Sequence, residues 1–400
     1  MKAIILFSLY GDYRGGAEKR YLSLFNYLQE HQSDYVLILN KTLYQSCIND
    51  NILSSSKNVL CINSLLEKSI DLSYKKQKTK IIDHESTKKK GNKIINVLKR
   101  LKYYLKVWVD VLYVSVQIHK LITRNHITHF YTIFQSGMYL TPYFKLFRKK
   151  YIYSENDCSL SFIDNNELSR WKSEYKSLKN ALYIDCLSPQ IKKDLLNLPF
   201  INDVNKLLVT PNSFINYNNF SPVSEKENII TFCSRIEKLK NPELLIDSIA
   251  LIKSQLRDYK IYIIGDGNMF GHIQECIKKK SLSNIVYLTG GLATPYKYIS
   301  KSKIFISLQQ NNNYPSQSLL EAMACENAII ASDVGETRML VTEDEGILVN
   351  LDKQSVADAI LTLINQPSLC LKLGKRARCK AVVEHSIEKF AEYFNEIMSK

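Results

Sequence analysis

Short, near-continuous apolar runs recur along the chain, each followed by a polar turn and a helical stretch. "AIILFSL" (Ala3–Leu9) is the first. A strand half-exposed to water alternates apolar and polar residues; a run that stays apolar needs cover on both faces. Similar runs predict strands at Val36–Leu39, Val59–Ile62, Thr128–Ile133, Lys150–Tyr153, Ala181–Asp185 and Leu207–Thr210. A second series follows at Ile229–Cys233, Lys260–Ile264, Ile285–Leu288, Lys303–Leu308 and Ala328–Ser332. Helices are predicted from about Gly16 to Glu30, with Leu22, Phe25 and Leu28 toward the core, and from near Pro242, Met269, Thr294 and Ser316. Strands alternating with helices imply an α/β fold with parallel sheets. At 400 residues the chain exceeds the usual size of one core. The polar "FSPVSEKEN" (Phe220–Asn228) reads as the linker, which gives domains 1–222 and 223–386, with a last helix at 387–400 that can pack back on the first domain.

The nine cysteines are dispersed, without CxxC and without metal-like spacing to histidine, as reduced thiols of a cytoplasmic protein are. "MKAIILFSLYGDYRGG" resembles a signal peptide in its apolar run, but its β-branched content and following loop favour a first core strand. No stretch reaches the roughly 20 apolar residues needed to span a bilayer. Net charge is +15, and it is concentrated: Lys75, Lys76, Lys78, Lys80, Lys88, Lys89, Lys90, Lys93, Lys99, Arg100, Lys102 and Lys106 crowd a basic insert at about 70–106. It runs into "VLKRLKYYLKVWVDVLYV", where Tyr103, Tyr104 and Trp108 mix with leucines and lysines. Two readings stay open. The segment is a basic amphipathic helix on an anionic membrane surface, or an insert of solvated lysines before an ordinary packed helix. No nucleic-acid motif accompanies the charge, so nucleic acid is not an expected partner.

Several loops carry candidate chemistry. Gly15 and Gly16 close the turn between the first strand and its helix, where positive φ and close ligand approach are open. The plain alternative is a tight strand-to-helix turn. In "FCSRIEKLKNPELLIDSIALI", Arg235 and Lys240 follow a strand, at the end of a parallel sheet where ligands bind. A fork-shaped and a point cation suit a diphosphate; a solvated basic loop is the alternative. "IYIIGDGNM" places Gly265 and Gly267 after another strand, and Gly290 and Gly291 end a further one; each is weak alone. In "NNNYPSQSLLEAMAC", Ser316 is a good N-cap, and Gln317, Ser318 and Leu319 form a first turn whose N–H groups suit an anion. Glu321 lies one turn further in, beside Leu319, Leu320 and Met323 of the buried face. A carboxylate there needs hydrogen-bond donors, such as a pair of ribose hydroxyls; a solvent-facing or lysine-paired glutamate is the alternative.

In this order and spacing, these motifs resemble the retaining glycosyltransferases of family 4 (glycosyl transferases group 1). "GGAEKRYLSLFNYL" is similar to that family's amino-terminal GGxE loop and helix. "VTPNSFINYNNFSP" resembles its PNGVD-type run, "SRIEKLKNPELLIDSI" its donor loop, and "YPSQSLLEAMACENAIIASDVGETRMLV" its donor helix, next strand and glycine loop. The resemblance implies a GT-B fold, two Rossmann-like domains facing across a cleft that holds a UDP- or GDP-linked sugar. Arg235 and Lys240 would neutralise the diphosphate and the leaving nucleotide. Ser316, Gln317, Ser318 and Leu319 would add donors, Glu321 would hold the ribose, and Gly15, Gly16, Gly265 and Gly267 would admit the donor. No metal and no cofactor is expected.

Three positions depart from the family pattern. Where it has a sugar-contacting glutamate, alignment gives Asn313 or Asn312. Where many members have a histidine, Asn156 stands with Asp157 beside it, as candidate sugar or acceptor contacts. Asn241 replaces the glycine after Lys240. The expected activity is transfer of a hexose-type sugar, with retention, to a lipid-linked glycan in surface polysaccharide synthesis, at the inner face of the cell membrane. A catalytically weak or inactive scaffold and a nucleotide-sugar epimerase of the same fold are the alternatives.

Overall fold

The computed structural model describes residues 1–7, 16–31, 34–53, 57–64, 93–133, 135–156, 177–198, 201, 203–211, 216–217, 220–292 and 294–400, with the backbone alone at 17, 93–104, 107, 135, 138 and 139. The chain divides into two compact units, Met1–Pro211 with Ala391–Lys400, and Asn212–Phe390.

The first unit is built on β1 (Lys2–Leu6), β2 (Tyr35–Asn40), β3 (Val59–Ile62), β4 (His129–Ile133), β5 (Ile152–Glu155), β6 (Tyr183–Cys186) and β7 (Leu207–Val209). They form one sheet in the order β3-β2-β1-β4-β5-β6-β7. Every pairing is parallel. Each residue of β2 is buried, as its unbroken apolar run requires. The helix Gly16–His31 turns Leu22, Phe25 and Leu28 inward, the expected face.

A long helix, Lys93–Arg124, packs Val114, Ile118 and Ile122 into this unit's core. The packed-helix reading therefore holds for its later turns. Its outer side also carries an apolar stripe: Leu105, Trp108, Val109, Leu112 and Val116 are all more than half exposed. No helix among the described residues is long and apolar enough to cross a membrane.

The second unit contains β8 (Glu227–Cys233), β9 (Lys260–Ile264), β10 (Val286–Gly290), β11 (Ser302–Ser307), β12 (Ala328–Ser332) and β13 (Gly346–Val349). The sheet order is β10-β9-β8-β11-β12-β13, again parallel throughout. The sequence reading missed β13, a four-residue edge strand that opens on a glycine. That glycine permits the pairing: a Cβ at Gly346 would lie 2.3 Å from the Ile329 carbonyl oxygen.

The division falls earlier than the linker expected at 220–228. Residues 217 and 220–221 are fastened to the rest of the second unit by groups far along the sequence. Tyr217 Oη donates to the Ala381 carbonyl. Tyr296 Oη donates to Ser221 O at 2.7 Å, its ring 5.4 Å from that of Phe220. Arg378 Nη1 donates to Phe220 O at 3.2 Å. Composition marked a polar joint, but these contacts draw it into the second unit.

The final helix, Ile387–Ile397, reaches the first unit through Tyr393, Phe394 and Asn395. The Phe394 ring lies 4.7 Å from Tyr131 and 5.7 Å from Tyr35. Tyr35 Oη donates to Asn395 Oδ1 at 2.6 Å. Tyr393 and Tyr131 each donate to one carboxylate oxygen of the fully buried Asp185, both at 2.6 Å. Tyr21 extends this network to Ser154 at 2.6 Å.

Burial pushes the Asp185 carboxyl up to about 6, against the two tyrosine hydrogen bonds and the Arg20 charge, which pull it down. With a folded pKa above the unfolded one, the native state holds an extra proton between roughly pH 4 and 6. That contribution to stability is complete below the unfolded pKa and is lost as pH rises through about 6. The Tm difference between wild type and Asp185→Asn is therefore expected to shift in favour of wild type on going from pH 7.5 to pH 5. A pH-independent difference in paired thermal melts would contradict this.

Candidate functional site

In the second sheet, β8 and β11 lie side by side although β9 and β10 separate them in sequence. An open parallel sheet reverses its winding at such a point, and loops from the two carboxyl ends part to leave a ligand crevice. The loops carrying Arg235, Lys240 and the 311–316 segment all leave from here.

The loop after β8 is seated by the loop after β9. Ser234 N donates to Ile264 O at 3.0 Å, Ile236 N to Asp266 O at 2.9 Å, and Met269 N to Ile236 O at 3.0 Å. Gly265 adopts φ +139°, and a Cβ there would stand 1.8 Å from Ser234 O; a Cβ at Gly267 would stand 2.4 Å from Ile236 O. What these two glycines approach is the backbone on either side of Arg235. Their position in the fold is that of packing residues for the arginine loop.

Arg235 is exposed, with Nη1 3.1 Å from Glu237 Oε1. Lys240 Nζ donates to Gln309 Oε1 at 2.6 Å. Asn241 then takes a left-handed conformation, φ 51° and ψ 44°, just before the helix Pro242–Leu251. Glycine is the default there; asparagine is the side-chain-bearing residue that tolerates it best. The side chain also ties two loops together. Asn241 Nδ2 donates to Leu308 O at 3.2 Å, and Gln310 Nε2 donates to Asn241 Oδ1 at 3.0 Å. Gln310 N donates to Leu239 O at 3.0 Å alongside them. The replacement of glycine by Asn241 keeps the turn and adds hydrogen bonds that glycine cannot make.

The structure separates the two asparagines that alignment left open. Asn312 is committed to the loop: Oδ1 accepts from Tyr314 N at 3.0 Å and Glu336 N at 2.9 Å, and Nδ2 donates to Glu336 Oε2 at 3.1 Å. Asn313 is 1% exposed, and its Oδ1 accepts from Ser307 Oγ at 3.0 Å. Its Nδ2 is buried with no partner among the described residues. An unmatched buried donor costs about 1–3 kcal/mol.

Ser316 occupies the N-cap of the helix Gln317–Ala324 in extended conformation, but its side chain makes no capping bond. The expected Ser316 cap is therefore corrected: the residue holds the cap position without occupying the first-turn N–H groups. Gln317, Ser318 and Leu319 form that turn. Leu319, Leu320, Ala322 and Met323 are buried, while Glu321 is half-buried, and its Oε1 accepts from Gln317 Nε2 at 2.9 Å.

The other end of this helix holds residues the sequence gave no sign of. Lys226 Nζ donates to Ser302 O at 2.7 Å and to the Cys325 carbonyl; Arg378 Nη1 donates to the Ala324 carbonyl. Two cations at a helix C-terminus complement the dipole whose positive end is the first turn. Burial pulls the Lys226 ammonium down to about 8. Both residues lie far from the helix in sequence, so no motif could flag them.

Of the remaining expected residues, Gly15 and Asp157 lie outside the described residues, and Gly16 is the first residue of its helix. Asn156 follows β5; its Oδ1 accepts from Ser154 Oγ at 3.4 Å, and its Nδ2 is buried without a partner among the described residues. The reading that no cysteine has metal-like spacing to histidine is also corrected. On the helix Phe270–Lys279, His272 and Cys276 are four apart and their Nε2 and Sγ atoms meet at 3.6 Å.

Residues 214–380, under half of the chain, match the family model Glycosyl transferases group 1. The chain is 28% identical over 229 residues to the poly(ribitol-phosphate) alpha-N-acetylglucosaminyltransferase of Staphylococcus aureus, covering 55% of this chain and 45% of that protein. It is 30% identical over 162 residues to the N-acetylgalactosamine-N,N'-diacetylbacillosaminyl-diphospho-undecaprenol 4-alpha-N-acetylgalactosaminyltransferase of Campylobacter jejuni, covering 40% and 43%. The alignments thus span less than half of each relative. Among solved structures, Anabaena HepE in complex with UDP is similar at TM-score 0.74 and 14% identity over 100% of both chains. A mutant of S. aureus TarM in complex with fondaparinux, alpha-GlcNAc-glycerol and UDP is similar at TM-score 0.69 and 16% identity, also over 100% of both. At such identities the likeness establishes the fold: two Rossmann-like α/β domains, the GT-B fold.

Asn241 gives a direct check on how the two loops are held. Asn241→Gly keeps the left-handed turn and loses two side-chain bonds, a loss of about 1 kcal/mol. Asn241→Ala adds left-handed strain of about 1–2 kcal/mol. Chemical denaturation is expected to rank wild type above Gly above Ala; Ala equal to Gly would contradict it.

Proposed function

We propose that the chain is a retaining glycosyltransferase that moves a hexose-type sugar from a UDP- or GDP-linked donor to a lipid-linked glycan in surface polysaccharide synthesis. One observation carries the reading. At the carboxyl ends of β8 and β11, an N-terminus left open by its own cap residue follows the buried, unmatched amide of Asn313. An anion with neighbouring hydroxyl or carbonyl oxygens is the ligand that such a set recognises.

The donor diphosphate is held by the first-turn N–H groups of Gln317, Ser318 and Leu319, with Arg235 and Lys240 as its counter-charges. As the bond from the anomeric carbon to the diphosphate oxygen breaks, negative charge grows on the leaving nucleotide. Arg235 exchanges Glu237, and Lys240 exchanges Gln309, for the phosphate oxygens. Both stabilise that charge more than the ground state, which is what lowers the barrier. These cations and the helix end supply the electrostatics without a metal. Glu321 accepts from the ribose hydroxyls, and Asn313 donates to the sugar. The names of the relatives, which include transfer to poly(ribitol-phosphate) and to a diphospho-undecaprenol glycan, support a polymeric or lipid-linked acceptor.

The anionic membrane surface is assigned to the basic segment 75–106 and the helix that continues from it. The exposed stripe Leu105, Trp108, Leu112 and Val116 supports this, because an interfacial helix buries such a face at the headgroup boundary while its lysines meet anionic lipid. The segment 65–92 lies outside the described residues.

Glu321→Ala and Arg235→Ala are each expected to reduce sugar transfer by roughly ten- to a hundredfold or more, the scale of losing a transition-state contact. The measurement is transfer with the cognate donor, found by thermal-shift screening of nucleotide sugars. Wild-type rates in either variant would remove that residue from the mechanism. Replacing Leu105, Trp108 and Leu112 together by serine is expected to weaken co-sedimentation with anionic vesicles. Unchanged sedimentation would assign the stripe elsewhere.

A further inference from the structure

We propose that Glu243, His272 and Cys276 form a site for a borderline transition-metal ion, with zinc the best match, on the outer side of the second unit. The site is independent of the sugar-transfer reading. His272 Nε2 lies 3.1 Å from Glu243 Oε2 and 3.6 Å from Cys276 Sγ. One ligand atom from each of the three lies within 4.8 Å of the others. A tetrahedral ion with bonds of about 2.0–2.3 Å sets its ligands roughly 3.3–3.8 Å apart, so the two His272 separations need only small adjustment, and the Glu243–Cys276 separation must close to that range by side-chain rotation.

The chemistry of the set is selective. One nitrogen, one sulfur and one carboxylate oxygen suit zinc and its neighbours, and do not suit magnesium or calcium, which take oxygen. Neutral imidazole, thiolate and carboxylate together balance a charge of two. On binding, the Cys276 S–H bond breaks, its proton leaves to solvent, and the sulfur electron pair goes to the metal. Three protein ligands leave a fourth position for water.

The ligands also sit on a rigid frame. His272 and Cys276 share one face of the helix Phe270–Lys279, and Glu243 is in the first turn of the helix Pro242–Leu251. One turn further along both helices, Lys280 Nζ pairs with Asp247 Oδ1 at 3.0 Å. Beneath them, Leu245, Ile246, Ile249, Ile273 and Ile277 share one core. The register that brings the three ligands together is thus fixed without the metal. An ion there ties the helix that follows Lys240 and Asn241 to the helix that follows Gly265–Gly267.

The test uses the intact, reduced chain and zinc ions alone. Alkylation of each cysteine is followed by mass spectrometry with and without zinc. Cys61 and Cys379 are exposed and serve as internal controls. Zinc at micromolar concentration is expected to slow alkylation of Cys276 by roughly tenfold or more, to leave Cys61 and Cys379 unchanged, and to lose this protection in His272→Ala and Glu243→Gln. Cobalt in place of zinc is expected to give a thiolate-to-metal absorption band that is absent in Cys276→Ser. Unchanged labelling of Cys276, equal slowing of all three cysteines, or protection that survives His272→Ala would overturn the proposal.

Discussion

The candidate site depends on β8 lying beside β11. Parallel strands need long crossovers, and right-handed crossovers wind the first half of the sheet one way and the second half the other. The two strands where the direction changes become neighbours, and their following loops have no helix between them. Asn241 and Gln310 then stitch those loops together, each reaching across to the other's backbone or side chain. Lys240 is held by Gln309 as part of the same seam. The cation and the helix start reach one end of the sheet because backbone topology puts them there.

The helix Gln317–Ala324 shows how stability and chemistry divide within one element. Its apolar residues bury one side, and Lys226 and Arg378 satisfy carbonyls at its end. At its start, Ser316 makes no side-chain cap bond, and Asn313 carries a donor unmatched among the described residues. Groups that stabilise only the protein would close such an end. An open end on a well-held helix is the arrangement expected where a ligand completes the hydrogen bonding.

Much of the fold was legible. Strands buried on both faces announce themselves as unbroken apolar runs, so β2, β8, β9 and β12 stood where the pattern put them. The edge strand β13 did not, because four residues opening on glycine give too little pattern to separate from a loop. The domain joint was misplaced for a related reason. Polarity shows where a chain can bend, and long-range partners such as Tyr296, Arg378 and Ala381 decide which body the joint belongs to.

The site divides in the same way. By itself the sequence determined which residues carry charge or hydrogen-bonding capacity at strand ends: Arg235, Lys240, Glu321 and the asparagines. Residue type and local spacing fix those properties before any folding. Only the tertiary structure decided that Gly265 and Gly267 pack on backbone, that Asn312 is bonded at both ends of its amide while Asn313 Nδ2 stays unmatched among the described residues, and that Lys226 and Arg378 hold the helix end. It alone brought Glu243 to His272 and Cys276. The physical reason is that a hydrogen bond is satisfied by whatever lies within about 3 Å, and folding, not sequence order, sets which groups come that close.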